Sequence, residues 1–133
     1  MALVCEIRLE DRTLVIYNVH LESRGSGELR IRELSEILAD VEQHPTEMPV
    51  MIGGDFNFDI SRGSAASLIA GSRITNPLAS LGGRSTILKG RNGKSPAIDW
   101  MLTRGTVSAS HPAIHEFITA SDHFPLSLEL CLP

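Results

Sequence analysis

Cysteine and aromatic residues are scarce in this sequence of 133 residues, and long apolar runs are missing. The two cysteines, Cys5 and Cys131, are too few for a disulfide framework and lack the spacing of a zinc site. Because both lie in apolar runs, we expect two buried, reduced thiols in a cytoplasmic protein. No run approaches the ~20 apolar residues that span a bilayer, so we expect no membrane span.

Acidic residues are also absent from positions 60–98, although the net charge of the whole chain is -4. Residues 1–59 carry twelve acidic and five basic residues, whereas the next segment carries only six basic ones: Arg62, Arg73, Arg84, Lys89, Arg91 and Lys94. Protein surfaces usually mix charges of both signs. This base-only segment therefore predicts either a surface that binds an anion such as phosphate or a solvated basic loop.

The residues that are present suffice for one globular domain. Hydrophobic residues make up 42% and charged residues 21% of the chain, which is typical of folded rather than disordered proteins. Residues 3–9 and 13–20 are rich in Val, Ile and Leu and are separated by Glu10, Asp11 and Arg12, which predicts a β-hairpin. The second run should be a buried central strand.

Helical spacing follows the hairpin. Between Glu28 and His44, apolar residues recur at positions 31, 34, 38 and 41 with charged residues between them, which predicts an amphipathic helix. Ser26 is placed to cap its start, and Pro45 lies just past its end. A second, shorter helix is predicted near residues 64–70.

The remaining pattern predicts strands joined by loops. Residues 49–52 form a short buried strand that the following glycine pair should stop, and residues 97–103 and 123–132 form two further strands. Residues 71–96 are rich in glycine and predict loops. The order of elements predicts an α/β fold of packed layers, with one β-sheet, helices on one of its faces, and a single domain over residues 1–133.

Polar clusters lie where the predicted strands begin or end. They are formed by Asn18 and His20, by Asp55 and Asn57, by Asp99, and by Asp122 and His123. Ionisable groups at the strand ends of a layered sheet often converge in one crevice. A carboxylate within the apolar run around Asp99 needs a partner, and histidine is the obvious one. An Asp–His pair with further oxygen ligands suits metal-assisted hydrolysis, because the histidine can take a proton from water while the oxygens hold a hard cation.

Each cluster alone also has a structural explanation. His20 fits a hydrogen-bonded core histidine, and Asp99 fits a structural aspartate. Asp55 and Asn57 fit a turn after two glycines, and Asp122 fits a cap at a strand start. It is hard to maintain all four structural explanations at once when the clusters occur in this order along one chain.

Four segments together resemble a known superfamily. The segments are NVHLES (18–23), GGDFN (53–57), AIDWM (97–101) and SDHFPL (121–126). Their residues and order resemble the second half of the endonuclease/exonuclease/phosphatase superfamily, which includes deoxyribonuclease I, abasic-site endonucleases, inositol polyphosphate phosphatases and sphingomyelinases. The resemblance implies that residues 1–133 are the C-terminal half of such a domain, that is, half of a deoxyribonuclease I-like four-layer α/β sandwich.

The resemblance also implies a metal-dependent phosphoester hydrolase in which a histidine-activated water attacks a phosphodiester or phosphomonoester. The implied catalytic residues are the phosphate-contacting His20, the leaving-group aspartate Asp55, the phosphate-holding Asn57, the orienting Asp99 and the general base His123. The implied cofactor is Mg²⁺, with Mn²⁺ as the alternative ion.

Metal and substrate contacts are implied in the same way. Asp122 and Asp55 are the implied metal ligands. The implied substrate-binding residues are His20, Asn57, Arg62, Arg84, Lys89 and Arg91. The substrate would carry a phosphate, with nucleic acid as one candidate, and basic side chains on the substrate face would attract it.

One part of the superfamily's site has no counterpart in this sequence. The first half of the superfamily domain supplies an Asn and a Glu to the magnesium site, and Glu6, Glu10 and Glu22 do not match that Glu motif. The first-half sheet would also cover one face of this sheet, so we expect a bare apolar face that a second copy or a separate first-half chain covers. Two alternatives to an active hydrolase stay open: a truncated or split half-domain without activity alone, and a non-catalytic module that binds nucleic acid.

Overall fold

The computed structural model of the protein describes residues 1–88 and 96–132. Over these residues the chain has the predicted mixed α/β fold. The strands are β1 (Ala2–Leu9), β2 (Arg12–His20), β3 (Val50–Asp55), β4 (Asp99–Arg104), β5 (Ser108–Ile114) and β6 (Leu126–Cys131). The helices are α1 (Gly27–Val41), α2 (Gly63–Gly71) and a 3₁₀ helix over Pro77–Leu81. No helix in these ranges has the length and apolarity to cross a membrane.

Four strands form one sheet in the order β1-β2-β3-β4. β1 and β2 form the predicted antiparallel hairpin, β2 and β3 run parallel, and β4 returns antiparallel to β3. Parallel neighbours need a crossover connection, which α1 supplies between β2 and β3. β2 and β3 are therefore the central strands of this sheet.

The structure has a second, two-stranded sheet beside this one, whereas the sequence predicted a single sheet. β6 pairs antiparallel with β5, a strand that the sequence pattern did not predict. The pairing shifts register between Ser110 and Ala113, and His111 within this interval has a φ of 51°. Pro112 also lies there, and proline donates no hydrogen bond to a β-ladder. The irregular stretch hides the alternation of β5, and β6 pairs with β5 instead of joining the larger sheet.

The helices follow the predicted spacing, with a shift at one end. Ser26 caps α1, because its hydroxyl oxygen accepts a hydrogen bond from the Leu29 N–H at 3.2 Å. α1 ends at Val41 rather than His44, since the His44 N–H bonds the Val41 carbonyl in a turn at 3.2 Å. α2 confirms the short second helix and extends one residue beyond each predicted end.

The core lies between the helices and one face of the four-stranded sheet. Its largest fully buried side chains include Val15, Tyr17, Leu34, Ile52, Phe56 and Leu102. The alternate residues of β2 therefore face α1, as the period of a strand requires. Burial of these aliphatic and aromatic side chains supplies the main driving force for the fold.

The opposite face of the same sheet is apolar, and the part of it that β1 forms is exposed. We call it the open face: Leu3, Cys5, Ile7 and Leu9 of β1, with Ile16 of β2 beside them. Leu3 is 66% exposed and Leu9 is 46% exposed. Cys5 on this face and Cys131 in β6 are both exposed, so the prediction of two buried thiols is wrong. Cys5 lies in an apolar run, but β1 is an edge strand and every one of its residues is exposed.

Candidate active site

The ends of three neighbouring strands bring the polar residues together. His20 at the end of β2 is the register partner of Asp55 at the end of β3, and Asp55 is the partner of Asp99 at the start of β4. Register partners on adjacent strands point to the same face, so these side chains form one row across the sheet. By alternation along β2, His20 shares the face of Ile16, so the row lies on the side of the open face.

Gly54 makes this row geometrically feasible. It has a φ of 139°, and a Cβ at this position would lie 2.0 Å from the Val19 carbonyl oxygen, so only glycine fits. β3 continues through Gly53 and Gly54 to Asp55. The prediction that the glycine pair stops the strand is therefore wrong, because the glycines permit a close approach of β2 and β3.

Asp99 and His123 form a hydrogen-bonded pair. The His123 Nδ1 atom lies 2.9 Å from Asp99 Oδ2 and 3.0 Å from Asp99 Oδ1, which confirms that the Asp99 carboxylate has a histidine partner. The His123 side chain is 34% exposed and that of Asp99 is 15% exposed. With Nδ1 engaged, the ring presents Nε2 as the nitrogen available to other groups.

Burial raises the pKa of the Asp99 carboxyl above its ordinary value. Hydrogen bonds from Thr86 and His123 oppose this rise, whereas the negative charge of Asp55 adds to it. Two carboxylates side by side on adjacent strands disfavour each other's charged form. A positive charge between the Asp55 and Asp99 carboxylates would therefore stabilise the site.

Asp55, Asn57 and His20 form the second part of the site. Asp55 Oδ1 accepts a hydrogen bond from the Asn57 backbone N–H at 2.7 Å, and Asp55 Oδ2 lies 3.8 Å from His20 Nε2. The Asn57 side-chain amide donates to the Leu21 carbonyl at 2.9 Å. Asn57 has a φ of 55°, a left-handed conformation that asparagine adopts more readily than most residues. Backbone groups thus hold both side chains at the strand end.

The site contains a group of atoms that suits a cation. Ligand-type atoms of Asp55, Asp99 and His123 all lie within 4.8 Å of one another. Carboxylate oxygens are the protein ligands that Mg²⁺ prefers. Because His123 Nδ1 is already bonded to Asp99, the two carboxylates are the better fit to such an ion.

Asp122, the other predicted metal ligand, lies outside this group of atoms. Its side chain is exposed, and its Oδ1 accepts a hydrogen bond from the Ser121 hydroxyl at 3.3 Å. Its backbone carbonyl accepts a hydrogen bond from the Leu88 N–H at 2.7 Å. The fold therefore binds the backbone of Asp122 and leaves its carboxylate at the surface.

Two residues of the basic segment form ion pairs. Arg62 Nε lies 2.7 Å from Asp59 Oδ2, and Arg84 Nη2 lies 2.8 Å from Glu116 Oε1. Asp59 borders the segment in sequence, whereas Glu116 reaches it only through the fold. The lack of acidic residues within the segment therefore did not predict its ion pairs.

The basic segment nevertheless reaches the site. Arg84 lines a small cavity together with Thr86 and Asp99, which places it near the Asp99–His123 pair. Arg62 stands at the start of α2, in the connection that follows β3. Lys89 and Arg91, which the resemblance also implied as substrate-binding residues, lie outside the described residues.

Thr86 is a residue of the site that sequence reasoning missed. It is 2% exposed, and its hydroxyl oxygen accepts hydrogen bonds from the backbone N–H groups of Ile98 and Asp99, each at 3.0 Å. A single threonine in a loop-rich segment matches no motif. The available signal was the apolar Ile87 that follows it, which is 9% exposed, whereas the next apolar residue, Leu88, is exposed.

Comparisons with solved structures show a known fold. D. rerio TDP2 complexed with single-strand DNA product matches with a TM-score of 0.78 and 17% identity, over 98% of this chain and 61% of that chain. An endonuclease/exonuclease/phosphatase from Beutenbergia cavernae matches with a TM-score of 0.75 and 18% identity, over 98% and 39% of the two chains. A mannosyl-6-phosphatase from Bacteroides thetaiotaomicron matches with a TM-score of 0.65 and 17% identity, over 92% and 53%. No family model and no curated protein matches the chain.

These likenesses confirm the fold that the resemblance implied. The chain spans about half the length of the solved structures that it matches. It therefore has the fold of part of a deoxyribonuclease I-like α/β domain, with the polar row at the strand ends of its larger sheet.

Proposed function

We propose that the chain is the C-terminal half of a phosphoester hydrolase in which His123 activates a water molecule. The observation that carries this proposal is the 2.9 Å hydrogen bond between His123 and Asp99, beside the Asp55 carboxylate on the neighbouring strand. An imidazole oriented by a carboxylate is a suitable general base. The fold shared with solved nuclease-like and phosphatase structures supports a phosphoester as the substrate.

In the proposed reaction, Asp99 sets the tautomer of His123. Its carboxylate accepts a hydrogen bond from the Nδ1–H group, which leaves the Nε2 lone pair to take a proton from water. As the water oxygen bonds to phosphorus and the bond to the leaving oxygen breaks, the imidazole becomes positively charged. Asp99 stabilises that charge. His20 and Asn57 would contact the phosphate oxygens, and Asp55 would lie near the leaving oxygen.

Mg²⁺, or Mn²⁺ in its place, is the proposed cofactor. Asp55 would hold the ion, and Asp122 stays a predicted ligand. Support comes from the closeness of the Asp55 and Asp99 carboxylates, whose mutual repulsion a divalent cation would relieve. When bound, such an ion stabilises negative charge on phosphate oxygens.

The proposed substrate is a nucleic acid phosphodiester. The TDP2 structure in complex with single-strand DNA product supports this choice. Arg62, whose side chain is 80% exposed, and Arg84, at 52% exposed, offer positive charge to a phosphate backbone. Lys89 and Arg91 are predicted to add to it. A sugar phosphomonoester is the second candidate, on the strength of the mannosyl-6-phosphatase neighbour.

The open face is the proposed contact surface for a second copy of the chain or for a separate chain that carries the first half. Its exposed apolar side chains, Leu3, Ile7 and Leu9, lie side by side on one edge strand. Contiguous exposed apolar surface of this kind is often a site of contact with another protein. A cytoplasmic location stays a prediction.

A half-domain without activity alone is the second candidate function. It is favoured by the position of Asp122, whose exposed carboxylate leaves the cation group with two carboxylates among the described residues. The third candidate is a module that binds nucleic acid without cleaving it. The active hydrolase requires His123 and added metal, the inactive half-domain also requires a further chain, and the binding module hydrolyses nothing.

Hydrolysis assays with the purified chain test the proposal. The substrates are a single-stranded DNA oligonucleotide, bis(para-nitrophenyl) phosphate and para-nitrophenyl phosphate, each with and without Mg²⁺ or Mn²⁺. We expect slow hydrolysis that requires the ion and is lost in His123→Ala. His111→Ala is the matched control, since His111 is an exposed histidine of β5 that lies 3.3 Å from Glu129.

The outcomes separate the candidates. Equal hydrolysis by the wild type and His123→Ala would overturn the general base. DNA binding that weakens with salt, without any hydrolysis, would support the binding module. Hydrolysis that begins only when a chain carrying the first half is added would support the half-domain that is inactive alone.

A further inference from the structure

Thr86 lies between the two segments that carry the His123–Asp99 pair. It is 2% exposed, and its hydroxyl oxygen accepts hydrogen bonds from the backbone N–H groups of Ile98 and Asp99, each at 3.0 Å. The start of β4, where Asp99 stands, is therefore bound to this one side chain.

The Thr86 hydroxyl oxygen binds the start of β4 at two points. A threonine hydroxyl has two acceptor lone pairs, and here each faces a backbone N–H donor, one of Ile98 and one of Asp99. The hydroxyl thus fixes the backbone that carries the Asp99 carboxylate.

The backbone around Thr86 binds the segment of the other partner. The Thr86 carbonyl accepts a hydrogen bond from the Phe124 N–H at 2.8 Å, and Ile87 forms a β-bridge with His123. The Leu88 N–H donates to the Asp122 carbonyl at 2.7 Å. The stretch that supplies the hydroxyl to Asp99 therefore also fixes the backbone on both sides of His123.

We propose that Thr86 is a positioning residue for the His123–Asp99 pair. Its side chain fixes Asp99 and its backbone fixes the His123 segment, so one residue sets the separation of the base from its carboxylate. The inference rests on the proposed function, in which this pair activates water. Small misplacements of a catalytic group cost much of the rate, so the residue that sets the separation affects catalysis without touching the substrate.

Thr86 is the side chain that accepts from both N–H groups at the start of β4. The cavity beside it, lined by Ala97 and Trp100 among others, measures about 10 Å³, which is room for one water at most. A side chain of the same shape without a hydroxyl would therefore leave the Ile98 and Asp99 N–H groups without their protein acceptor.

Matched variants separate positioning from packing. Thr86→Val keeps the shape of the side chain and removes the hydroxyl, whereas Thr86→Ser keeps the hydroxyl and removes a methyl group. Ser85→Ala is the control, because the neighbouring Ser85 hydroxyl donates to the Ile87 carbonyl at 2.8 Å rather than to Asp99.

The first readout requires no catalysis. It is the low-field proton NMR resonance of the His123 Nδ1–H, assigned by its absence in His123→Ala. We expect this resonance in the wild type, in Ser85→Ala and in Thr86→Ser. In Thr86→Val we expect it to broaden or disappear through faster exchange with water, while the amide spectrum remains that of a folded protein.

The second readout is kcat against KM for Mg²⁺-dependent hydrolysis. Removing a group that orients a site residue typically costs about 10- to 100-fold in activity, and we expect a loss of that size in the kcat of Thr86→Val. KM should stay unchanged, because Thr86 does not contact the substrate. Thr86→Ser should recover most of the lost kcat.

Two results would overturn the proposal: an unchanged His123 resonance in folded Thr86→Val, or an equal loss in Ser85→Ala. If the wild-type chain hydrolyses none of the substrates, the proposed function fails, and the resonance still decides whether Thr86 positions the pair. If Thr86→Val does not fold, Thr86→Ala takes its place. Failure of both to fold would make Thr86 a structural residue alone and would also overturn the proposal.

Discussion

The two ends of β4 carry two polar clusters built from the same residue types. At its start, Asp99 binds His123 in the candidate site. At its end lies a group that we call the Arg104 cluster: Tyr17, Asp40, His44 and Arg104. Both clusters combine an aspartate with a histidine, so residue type alone does not separate a site from a structural contact.

The Arg104 cluster joins the end of α1 to the sheet. The Tyr17 hydroxyl donates to Asp40 Oδ2 at 2.6 Å and lies 2.9 Å from His44 Nε2. The guanidinium of Arg104, which is buried, donates to the carbonyls of His44 and Pro45, each at 3.3 Å. Its Nε alone has no partner among the described residues. The two buried members of the cluster, Tyr17 and Arg104, are thus bonded within the fold.

The candidate site instead keeps capacity for other molecules. The His123 side chain is 34% exposed and the His20 side chain is 68% exposed, and Asp55 Oδ2 lies beyond hydrogen-bond distance of His20 Nε2 at 3.8 Å. Polar groups that are buried and paired stabilise a fold, whereas accessible polar groups can bind other molecules. The clusters therefore differ in exposure: Tyr17 and Arg104 are buried, whereas the histidines of the candidate site are accessible.

Exchanging the aspartate of each cluster for its amide is the strongest test of this comparison. Asp99→Asn should lower kcat by about 10³- to 10⁴-fold, because the amide no longer holds the imidazole in the tautomer with a free Nε2 lone pair. Asp40→Asn should leave kcat unchanged, since its contact is with Tyr17 at the other end of β4. Steady-state hydrolysis rates measure both, and equal losses would mean that the clusters do not differ in function.

Removing the guanidinium tests the other side of the comparison. Arg104→Met should lower the free energy of unfolding by about 1–3 kcal/mol, because the His44 and Pro45 carbonyls lose the buried guanidinium that donates to them. Hydrolysis should not change. Arg32→Met is the control: Arg32 is 71% exposed on α1 and lies 3.9 Å from Glu36, a surface pair worth about 0.3–0.5 kcal/mol. Urea unfolding midpoints that fall equally in both variants would contradict a structural role for Arg104.

High pH should weaken the Arg104 cluster specifically. Burial, reinforced by the hydrogen bond to Asp40, raises the pKa of Tyr17 well above its ordinary value. A group whose pKa is raised by folding stabilises the fold fully below its unfolded pKa, about 10 for tyrosine, and this stabilisation is lost as pH rises toward the folded pKa. The free energy of unfolding should therefore fall above about pH 10, by about 1.4 kcal/mol for each pH unit from this one group.

Tyr17→Phe isolates that effect. The variant should lack the part of the alkaline destabilisation that belongs to the phenol, while other groups titrate as before. Tyr17 is the single tyrosine of the chain, so the near-ultraviolet absorbance of tyrosinate reports its ionisation directly. Ionisation near pH 10 in a chain that is still folded would contradict the assigned burial effect.

The sequence predicted those elements whose burial follows a simple period. Apolar spacing predicted β2 and α1, and Ser26 caps α1 as its position indicated. β5 was missed because its bulge contains Pro112 and breaks the alternation. Cys5 was wrongly predicted to be buried, since burial depends on what covers a strand and not only on the strand's own apolarity.

The strand-end residues of the site could be predicted, whereas the contacts that support them could not. A carboxylate within an apolar strand needs a partner, and this argument led from Asp99 to a histidine, which the resemblance identified as His123. No comparable argument predicted the contacts of Thr86, because its hydrogen bonds join it to other segments of the sequence. The same holds for Glu116, which meets Arg84 only in the folded chain. Motif spacing carries no information on such tertiary contacts.

The smallest expected effect concerns the exposed charge of the basic segment. Arg62 is 80% exposed and follows the site-bearing end of β3, whereas Arg32 lies on α1, which covers the opposite face of the sheet. If Arg62 contacts a phosphate of single-stranded DNA, Arg62→Ala should reduce the slope of log affinity against log salt concentration by about 1. Arg32→Ala should leave that slope unchanged, although it removes the same formal charge. Fluorescence anisotropy over a salt series measures both slopes. Equal slopes in the two variants would mean that Arg62 contributes only to the overall charge, and that nucleic acid does not bind at this side of the candidate site.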